Sequence, residues 1–138
     1  TGVTIVVLGS AKERALGDEI AAAAGRVRVV NLCGATSLAD VLDLPAAAEV
    51  AVRNDSGLLH VAAAAGAPVV AIYGSSSPEF TPPLTATAAI VWQQLSCSPC
   101  FARECPLGHL NCLKELPVAR VLAAVEELRA VASAGRRA

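Results

Sequence analysis

A regular alternation of short apolar runs with alanine-rich stretches constrains the fold of this chain more than any other feature. Each apolar run is followed, after a turn, by a segment in which apolar residues recur at helical spacing. Strands that alternate with helices form βαβ units, in which the strands are parallel and the helices cover the sheet. The sequence therefore predicts an α/β fold, a Rossmann-like domain of three layers with a parallel sheet.

The boundaries of the predicted elements follow from this pattern and from the residues that cap or break helices. Strands are predicted at Val3–Leu8, Val27–Val30, Glu49–Val52, Pro68–Tyr73 and Ala88–Trp92. Helices are predicted at Lys12–Ala24, from Leu38 onward, at Leu58–Ala65 and at Pro117–Ala134. Pro45 is expected to kink the second helix or end it early, because proline lacks the N–H that a helix interior requires. Residues 93–116, rich in proline and cysteine, are expected to be irregular.

Composition excludes several classes of protein. Of the 138 residues, 54% are hydrophobic and 17% are charged, which is too apolar for a disordered chain and sufficient for one domain with its own core. The 11 basic and 12 acidic residues give a net charge of −1, so no nucleic acid partner is expected. The longest apolar run, Val61–Tyr73, is interrupted by Gly66 and Pro68 and is too short to span a membrane.

The first residues carry no targeting signal. The chain opens directly on a predicted strand, without an initiator methionine and without the basic region of a signal peptide. We therefore expect a piece of a longer cytoplasmic protein, in which cysteines are reduced or bind a metal. Cys33, after the second strand, is expected to be a small core residue.

The polar loop after the third strand (Asn-Asp-Ser-Gly at 54–57, called the 54–57 loop) is the most informative candidate site. Ligands of open parallel sheets bind beyond the carboxyl ends of the strands. Asp55 or Ser56 can cap the following helix, and Gly57 lets a ligand approach the backbone closely. The free N–H groups near Gly57 and Leu58, with the helix dipole behind them, are suited to a phosphate.

His60, near the start of the same helix, can reach the same anion. The alternative stays open that the 54–57 loop only caps the helix and that His60 is a hydrogen-bonded residue of the core. The glycine patterns of NAD enzymes and of P-loop NTPases are absent, as is the Gly-x-Ser-x-Gly of many hydrolases. These absences weigh against those three classes.

Four cysteines within sixteen residues form a second candidate site. Cys97 and Cys100 are a C-x-x-C pair, and Cys105 and Cys112 follow. Four thiolates can hold a structural zinc, or iron as in rubredoxin, and His109 can replace one of them. Free thiols or an adventitious disulfide explain the same irregular spacing, so these alternatives stay open.

Four ordered motifs carry a resemblance to a known family. They are LGSAKE at 8–13, NLCGATSL at 31–38, NDSGLLHVAAA at 54–64 and PVVAIYGSSSPEFTPPL at 68–84. In this order and spacing they resemble the ADP-heptose–lipopolysaccharide heptosyltransferases, and the resemblance covers nearly the whole chain. It implies a GT-B architecture, in which two Rossmann-like domains face each other across a cleft. Residues 1–138 are then the single C-terminal domain that binds the nucleotide sugar, with the irregular cysteine-rich segment at 93–116.

The resemblance also implies roles for individual residues. The positions that match the motif facing the pyrophosphate and sugar of the donor are Asp55, Ser56, Gly57, Leu58 and His60. Glu13 matches an acidic position that contacts the ribose, and a carboxylate suits vicinal hydroxyls. Lys12 is expected to be a solvated surface lysine. Arg53 departs from the family pattern, and we expect a solvated arginine there more than a phosphate ligand.

By resemblance, the chain is the donor-binding half of an inverting glycosyltransferase that moves heptose from ADP-heptose to the inner core of lipopolysaccharide. The acceptor site and the catalytic base belong to the N-terminal domain, so no catalytic residue is expected here. No divalent cation is expected in catalysis, and a structural zinc or iron is the only metal considered. The protein would be cytoplasmic and peripheral to the inner membrane at most. Alternatives of other kinds are a non-enzymatic nucleotide- or metal-binding module and another GT-B transferase or epimerase.

Overall fold

The computed structural model describes residues 2–135 of the chain. The chain divides into two compact units, Thr1–Val41 and Leu42–Ala138, and each is described by itself.

The first unit places one helix on a pair of parallel strands. Its elements are β1 (Thr4–Val7), a 3-10 helix (Ala11–Glu13), α1 (Arg14–Ala23) and β2 (Arg28–Asn31). A Cβ on Gly17 of α1 would lie 2.4 Å from Oδ1 of Asn31, so only glycine allows this approach of helix and strand. The Asn31 amide donates hydrogen bonds to the carbonyl of Arg14 at 3.0 Å and to Oδ1 of Asp18 at 2.7 Å, which fixes α1 to β2.

The turn after β2 packs closely against the start of the 3-10 helix. Gly34 has a φ of +71°, and a Cβ there would lie 2.7 Å from Cα of Ala11, so the turn requires glycine for its conformation and for space. Cys33 is 1% exposed, which confirms it as a core residue. Its carbonyl accepts a hydrogen bond of 3.0 Å from Nη1 of Arg14.

The second unit contains a parallel sheet in the order β3-β4-β5. Its elements are β3 (Ala51–Asn54), α3 (Gly57–Ala64), β4 (Val69–Tyr73), β5 (Ala88–Trp92), α4 (Asn111–Lys114) and α5 (Val118–Gly135), and α2 (Leu38–Ala47) runs into it from the first unit. No helix among residues 2–135 has the length and apolar character needed to cross a membrane.

The central strand β4 divides the core of this unit into two layers. Val69, Ala71 and Tyr73 pack with buried residues of α3 on one face of the sheet. Val70 is buried on the other face with Leu128 of α5. The helix–sheet–helix arrangement confirms the three-layer α/β prediction, and β4 is apolar throughout because both of its faces are covered.

Several boundaries differ from the sequence predictions. β3 begins at Ala51, two residues later than predicted, because its pairing register is set by Val69 of β4. The prediction that Pro45 ends its helix early is wrong, since α2 continues to Ala47 and closes with a bond from the Ala48 N–H to the Pro45 carbonyl. The described strands also pair in two groups, β1–β2 and β3–β4–β5, a division that the alternation of elements does not encode.

Candidate functional site

The 54–57 loop joins the end of β3 to the start of α3 at the carboxyl edge of the sheet. The Asp55 N–H donates to the carbonyl of Ile72 at 3.0 Å, which ties the loop to β4. Ser56 is extended and occupies the N-cap position of α3, but its hydroxyl makes no capping hydrogen bond. Its carbonyl instead accepts the N–H of Leu59 at 2.9 Å. The sequence prediction of a side-chain cap by Ser56 is therefore wrong, and the Ser56 hydroxyl is not committed to the helix.

The first turn of α3 presents the features of an anion site. By helix geometry, the N–H groups of Gly57 and Leu58 have no carbonyl partner within the helix, and the positive end of the helix dipole lies behind them. Gly57 is exposed, and a Cβ built on it meets no atom within 4 Å. Open space therefore lies in front of the backbone, as the approach of a phosphate requires.

His60 and Asp55 flank this turn. Nε2 of His60 lies 3.9 Å from Oδ1 of Asp55, and the two side chains are 41% and 14% exposed. His60 is therefore not a residue of the buried core, and the alternative that made it one is wrong. The arrangement supplies a half-buried carboxylate that accepts hydroxyl hydrogen bonds and an accessible imidazole that donates them.

Asp55 is held by a residue to which the sequence analysis gave no role. Oγ1 of Thr81 donates to Oδ2 of Asp55 at 3.1 Å, and the Tyr73 hydroxyl donates to the carbonyl of Thr81. Burial raises the pKa of Tyr73, and the charge of Asp55 adds to this effect, while the hydrogen bond with Thr81 opposes it. A tyrosine at the end of a buried strand needs a partner for its hydroxyl, which is the signal that could have pointed to this network.

Glu13 and Lys12 belong to the first unit, whereas the 54–57 loop belongs to the second. Oε2 of Glu13 accepts the N–H of Ser10 at 2.7 Å and its hydroxyl at 2.8 Å, so this carboxylate organises the turn after β1. Its contact with a ribose stays a prediction. Lys12 is exposed, as predicted, whereas Arg53 is half-buried on β3.

The four cysteines of the 93–116 segment share one cavity. A cavity of about 130 Å³ is lined by Cys97, Cys100, Cys105 and Cys112, together with His109. All four cysteines are free thiols. In the part of the chain that the structure describes, no three or more His, Cys, Asp or Glu side chains converge as a metal centre. The structure thus brings the predicted ligands around one space but does not bring them to coordination distance.

Cys105 differs from the other thiols in its surroundings. Backbone hydrogen bonds lower the pKa of Cys105, first that from Leu110 and then those from Leu107, His109 and Gly108, while desolvation opposes them. All four of these residues lie shortly after Cys105 in the chain. Such bonds stabilise a thiolate over a thiol.

A three-layer parallel α/β unit with an open helix N-terminus at the carboxyl edge of its sheet defines the Rossmann-like class of domain, in which ligands bind beyond the carboxyl ends of the strands. Residues 1–111 match glycosyltransferase family 9 (heptosyltransferase), and the chain belongs to this family. This match confirms the resemblance of the four motifs to the heptosyltransferases.

Individual relatives agree with the family. The chain is 47% identical over 93 residues to lipopolysaccharide heptosyltransferase 2 of Escherichia coli and 44% identical over 93 residues to lipooligosaccharide heptosyltransferase 2 of Haemophilus influenzae. Each match covers 65% of this chain and 27% of the relative, so the matched residues span about a quarter of the length of these proteins.

Solved structures confirm the fold. The structure of E. coli ADP-heptose lipopolysaccharide heptosyltransferase II matches with a TM-score of 0.78 and 37% identity, over 93% of this chain and 37% of that one. A family 9 glycosyltransferase from Veillonella parvula matches with a TM-score of 0.72 over the same shares, and at 22% identity this likeness concerns the fold alone. Both are family 9 glycosyltransferases, in agreement with the predicted half of a GT-B architecture.

Proposed function

We propose that this chain is the donor-binding half of an inverting heptosyltransferase, which takes ADP-heptose and delivers heptose to the inner core of lipopolysaccharide. The observation that carries the proposal is the open helix N-terminus at Gly57, in a chain that belongs to family 9. Family membership favours a transferase over the non-enzymatic module considered from the sequence. The work would take place at the cytoplasmic face of the inner membrane, where the acceptor lipid is exposed to a peripheral enzyme.

The proposed mechanism is a single displacement at the anomeric carbon of the donor. An acceptor hydroxyl, deprotonated by a carboxylate outside this chain, attacks from the face opposite the diphosphate. The N–H groups of Gly57 and Leu58 stabilise the departing diphosphate, and this preorganised positive potential replaces a divalent cation. Asp55 orients hydroxyls of the donor, while His60 and the Ser56 hydroxyl donate hydrogen bonds to the diphosphate. Glu13 would hold the ribose.

The first test replaces Gly57 with valine. The added carbons occupy the space where a phosphate approaches, and because a Cβ there meets no atom within 4 Å the fold should be retained. We expect Gly57→Val to abolish ADP binding in calorimetry. The matched control is Ala64→Val, which enlarges an exposed residue at the other end of the same helix and should bind ADP normally. Unchanged ADP affinity in Gly57→Val would remove the site.

The second test concerns the chain alone. A helix N-terminus with a few N–H donors contributes about 1–3 kcal/mol to anion binding. With ribose and adenine contacts added, we expect an ADP affinity of about −4 to −6 kcal/mol, which corresponds to tens of micromolar to millimolar. No sugar transfer is expected, since the one carboxylate at the 54–57 loop, Asp55, lies on the donor side. Robust turnover by the chain alone would show that the catalytic base is within it.

A further inference from the structure

The cysteine-rich segment lacks an apolar core of its own. Its large apolar side chains are substantially exposed: Phe101 by 58%, Leu107 by 62%, Leu110 by 40% and Leu113 by 46%. Its regular structure is limited to the four residues of α4. Of its large apolar side chains, Leu116 packs against the core of the second unit. Segments with so little buried apolar surface commonly depend on a cross-link or a metal ion.

The four cysteines of this segment line one cavity. Cys105 is followed by a turn that contains Gly108 at a φ of +71°. The Gly108 N–H donates a hydrogen bond of 3.0 Å to the Cys105 carbonyl, which closes this turn. The turn fixes the backbone of Cys105, whose side chain lines the cavity together with Cys97, Cys100 and Cys112.

One ring nitrogen of His109, which lines the same cavity, is engaged in a hydrogen bond. Nδ1 of His109 accepts a hydrogen bond of 3.0 Å from the N–H of Asn111. Metal binding through Nδ1 would break this hydrogen bond, and metal binding through Nε2 would place the imidazole proton on Nδ1, against the Asn111 N–H. The group that lines the cavity with four thiols is therefore a neighbour of the site and not a ligand.

We propose that Cys97, Cys100, Cys105 and Cys112 bind one Zn²⁺ as a closed tetrahedral site that holds the cysteine-rich segment in place. Zinc–sulfur bonds of about 2.3 Å in a tetrahedron require sulfurs about 3.8 Å apart. In the described residues the four thiols line one cavity without converging, so the proposed site requires them to turn into it. Each thiol that is still protonated releases one proton as its Zn–S bond forms, and no electron is transferred. Arg103 lines the same cavity and offsets the net negative charge of four thiolates around a divalent ion.

Metal analysis tests this proposal without reference to ADP, so its outcome is independent of the donor site. The chain is expressed with zinc in the medium, purified under reducing conditions and analysed for zinc. We expect about one zinc per chain, and a loss of about tenfold or more in serine variants of each of the four cysteines. His109→Gln and the matched thiol control Cys33→Ala should retain the full zinc content, since the first is not a ligand and the second lies in the other unit.

Cobalt provides a measurement that does not depend on variants that fail to fold. Titration of the zinc-free chain with Co²⁺ should give thiolate-to-cobalt charge transfer and the visible bands of a tetrahedral site, and Zn²⁺ should displace both. A chain that contains no zinc and shows no such spectrum overturns the proposal. A chain that carries iron in place of zinc, or zinc that is lost in His109→Gln and retained in Cys112→Ser, overturns the assignment of the metal or of its ligands.

Discussion

The hydrogen bond from Thr81 to Asp55 gives the sharpest prediction about the donor site. Thr81→Val replaces the hydroxyl by a methyl group of similar size and removes the 3.1 Å bond to Oδ2 of Asp55. The carbonyl of Thr81 is unchanged, so the bond that it accepts from the Tyr73 hydroxyl is retained. The variant therefore removes only the hydrogen bonds of the Thr81 hydroxyl, to Asp55 and to the Ser77 carbonyl.

The structure allows the size of the effect to be worked out. Hydrogen bonds to charged groups contribute about 1.5–3 kcal/mol when they are buried. Asp55 is half-buried but Thr81 is exposed, and its single proton is shared with the Ser77 carbonyl at 3.3 Å, so about 1 kcal/mol is expected. If the bond holds Asp55 in the orientation that binds the donor, the affinity for ADP-heptose falls about fivefold.

Calorimetry with ADP-heptose, paired with thermal unfolding, measures both consequences. Thr81→Val should weaken donor binding and lower Tm by about 3–5 °C. Thr81→Ser keeps the hydroxyl and should resemble the unaltered chain in donor affinity. Equal affinities in the valine and serine variants would refute the reasoning, because Asp55 would then be oriented without Thr81 or would not touch the donor.

Two further predictions concern stability. The pKa of Tyr73 is raised above its ordinary value of 10.0, so Tyr73 ionises more easily in the unfolded chain than in the folded one. The contribution of Tyr73 to the free energy of unfolding is therefore fully present below pH 10 and is lost as the pH rises above it. Tyr73→Phe should flatten the alkaline part of a plot of Tm against pH, and an unchanged slope would contradict this. Gly17→Ala should lower the free energy of unfolding by about 1–3 kcal/mol in urea titrations, since its Cβ would meet the fixed Asn31 amide, whereas Ala22→Ser on the exposed part of α1 should change it little.

The sequence predicted elements well where local patterns determine them. β5 was predicted at Ala88–Trp92 and is found there, and the helix after the 54–57 loop begins within one residue of its predicted start. The apolar residues of the last helix are covered less completely than their helical spacing indicates. Val118 and Leu122 are 71% and 56% exposed, because α5 contacts the sheet through Leu128 and its near neighbours. Periodicity predicts which face of a helix is apolar, but it does not predict how much of that face a sheet covers.

The missing part of the candidate site depends on contacts between distant residues. Thr81 lies 26 positions after Asp55, and no spacing rule connects a hydroxyl in one loop to a carboxylate in another. The hydrogen bond that Nδ1 of His109 accepts from the Asn111 N–H was equally beyond the sequence. The shared cavity of the four cysteines was closer to prediction, because their proximity along the chain already limited how far apart they can lie.

The carboxyl end of β4 holds the 54–57 loop and Thr81 through hydrogen bonds. The carbonyl of Ile72 accepts the N–H of Asp55, and the next residue, Tyr73, holds Thr81 through its hydroxyl. Tyr73 is fully buried, so its position is set by the core and not by the loops. These bonds therefore tie the 54–57 loop and Thr81 to a strand that the core holds in place.

The cysteine-rich segment is attached to the next two residues of the same strand end. Oγ of Ser98 donates to the carbonyl of Gly74 at 2.6 Å, and the N–H of Phe101 donates to the carbonyl of Ser75 at 2.7 Å. The 54–57 loop, Thr81 and the cysteine-rich segment are thus all hydrogen-bonded to four consecutive residues, 72–75. Because local order spreads through contacts of this kind, a zinc ion that fixes the segment would also restrict the backbone beside Tyr73. A structural zinc would in this way also restrict the backbone of the proposed phosphate site, with which it makes no contact.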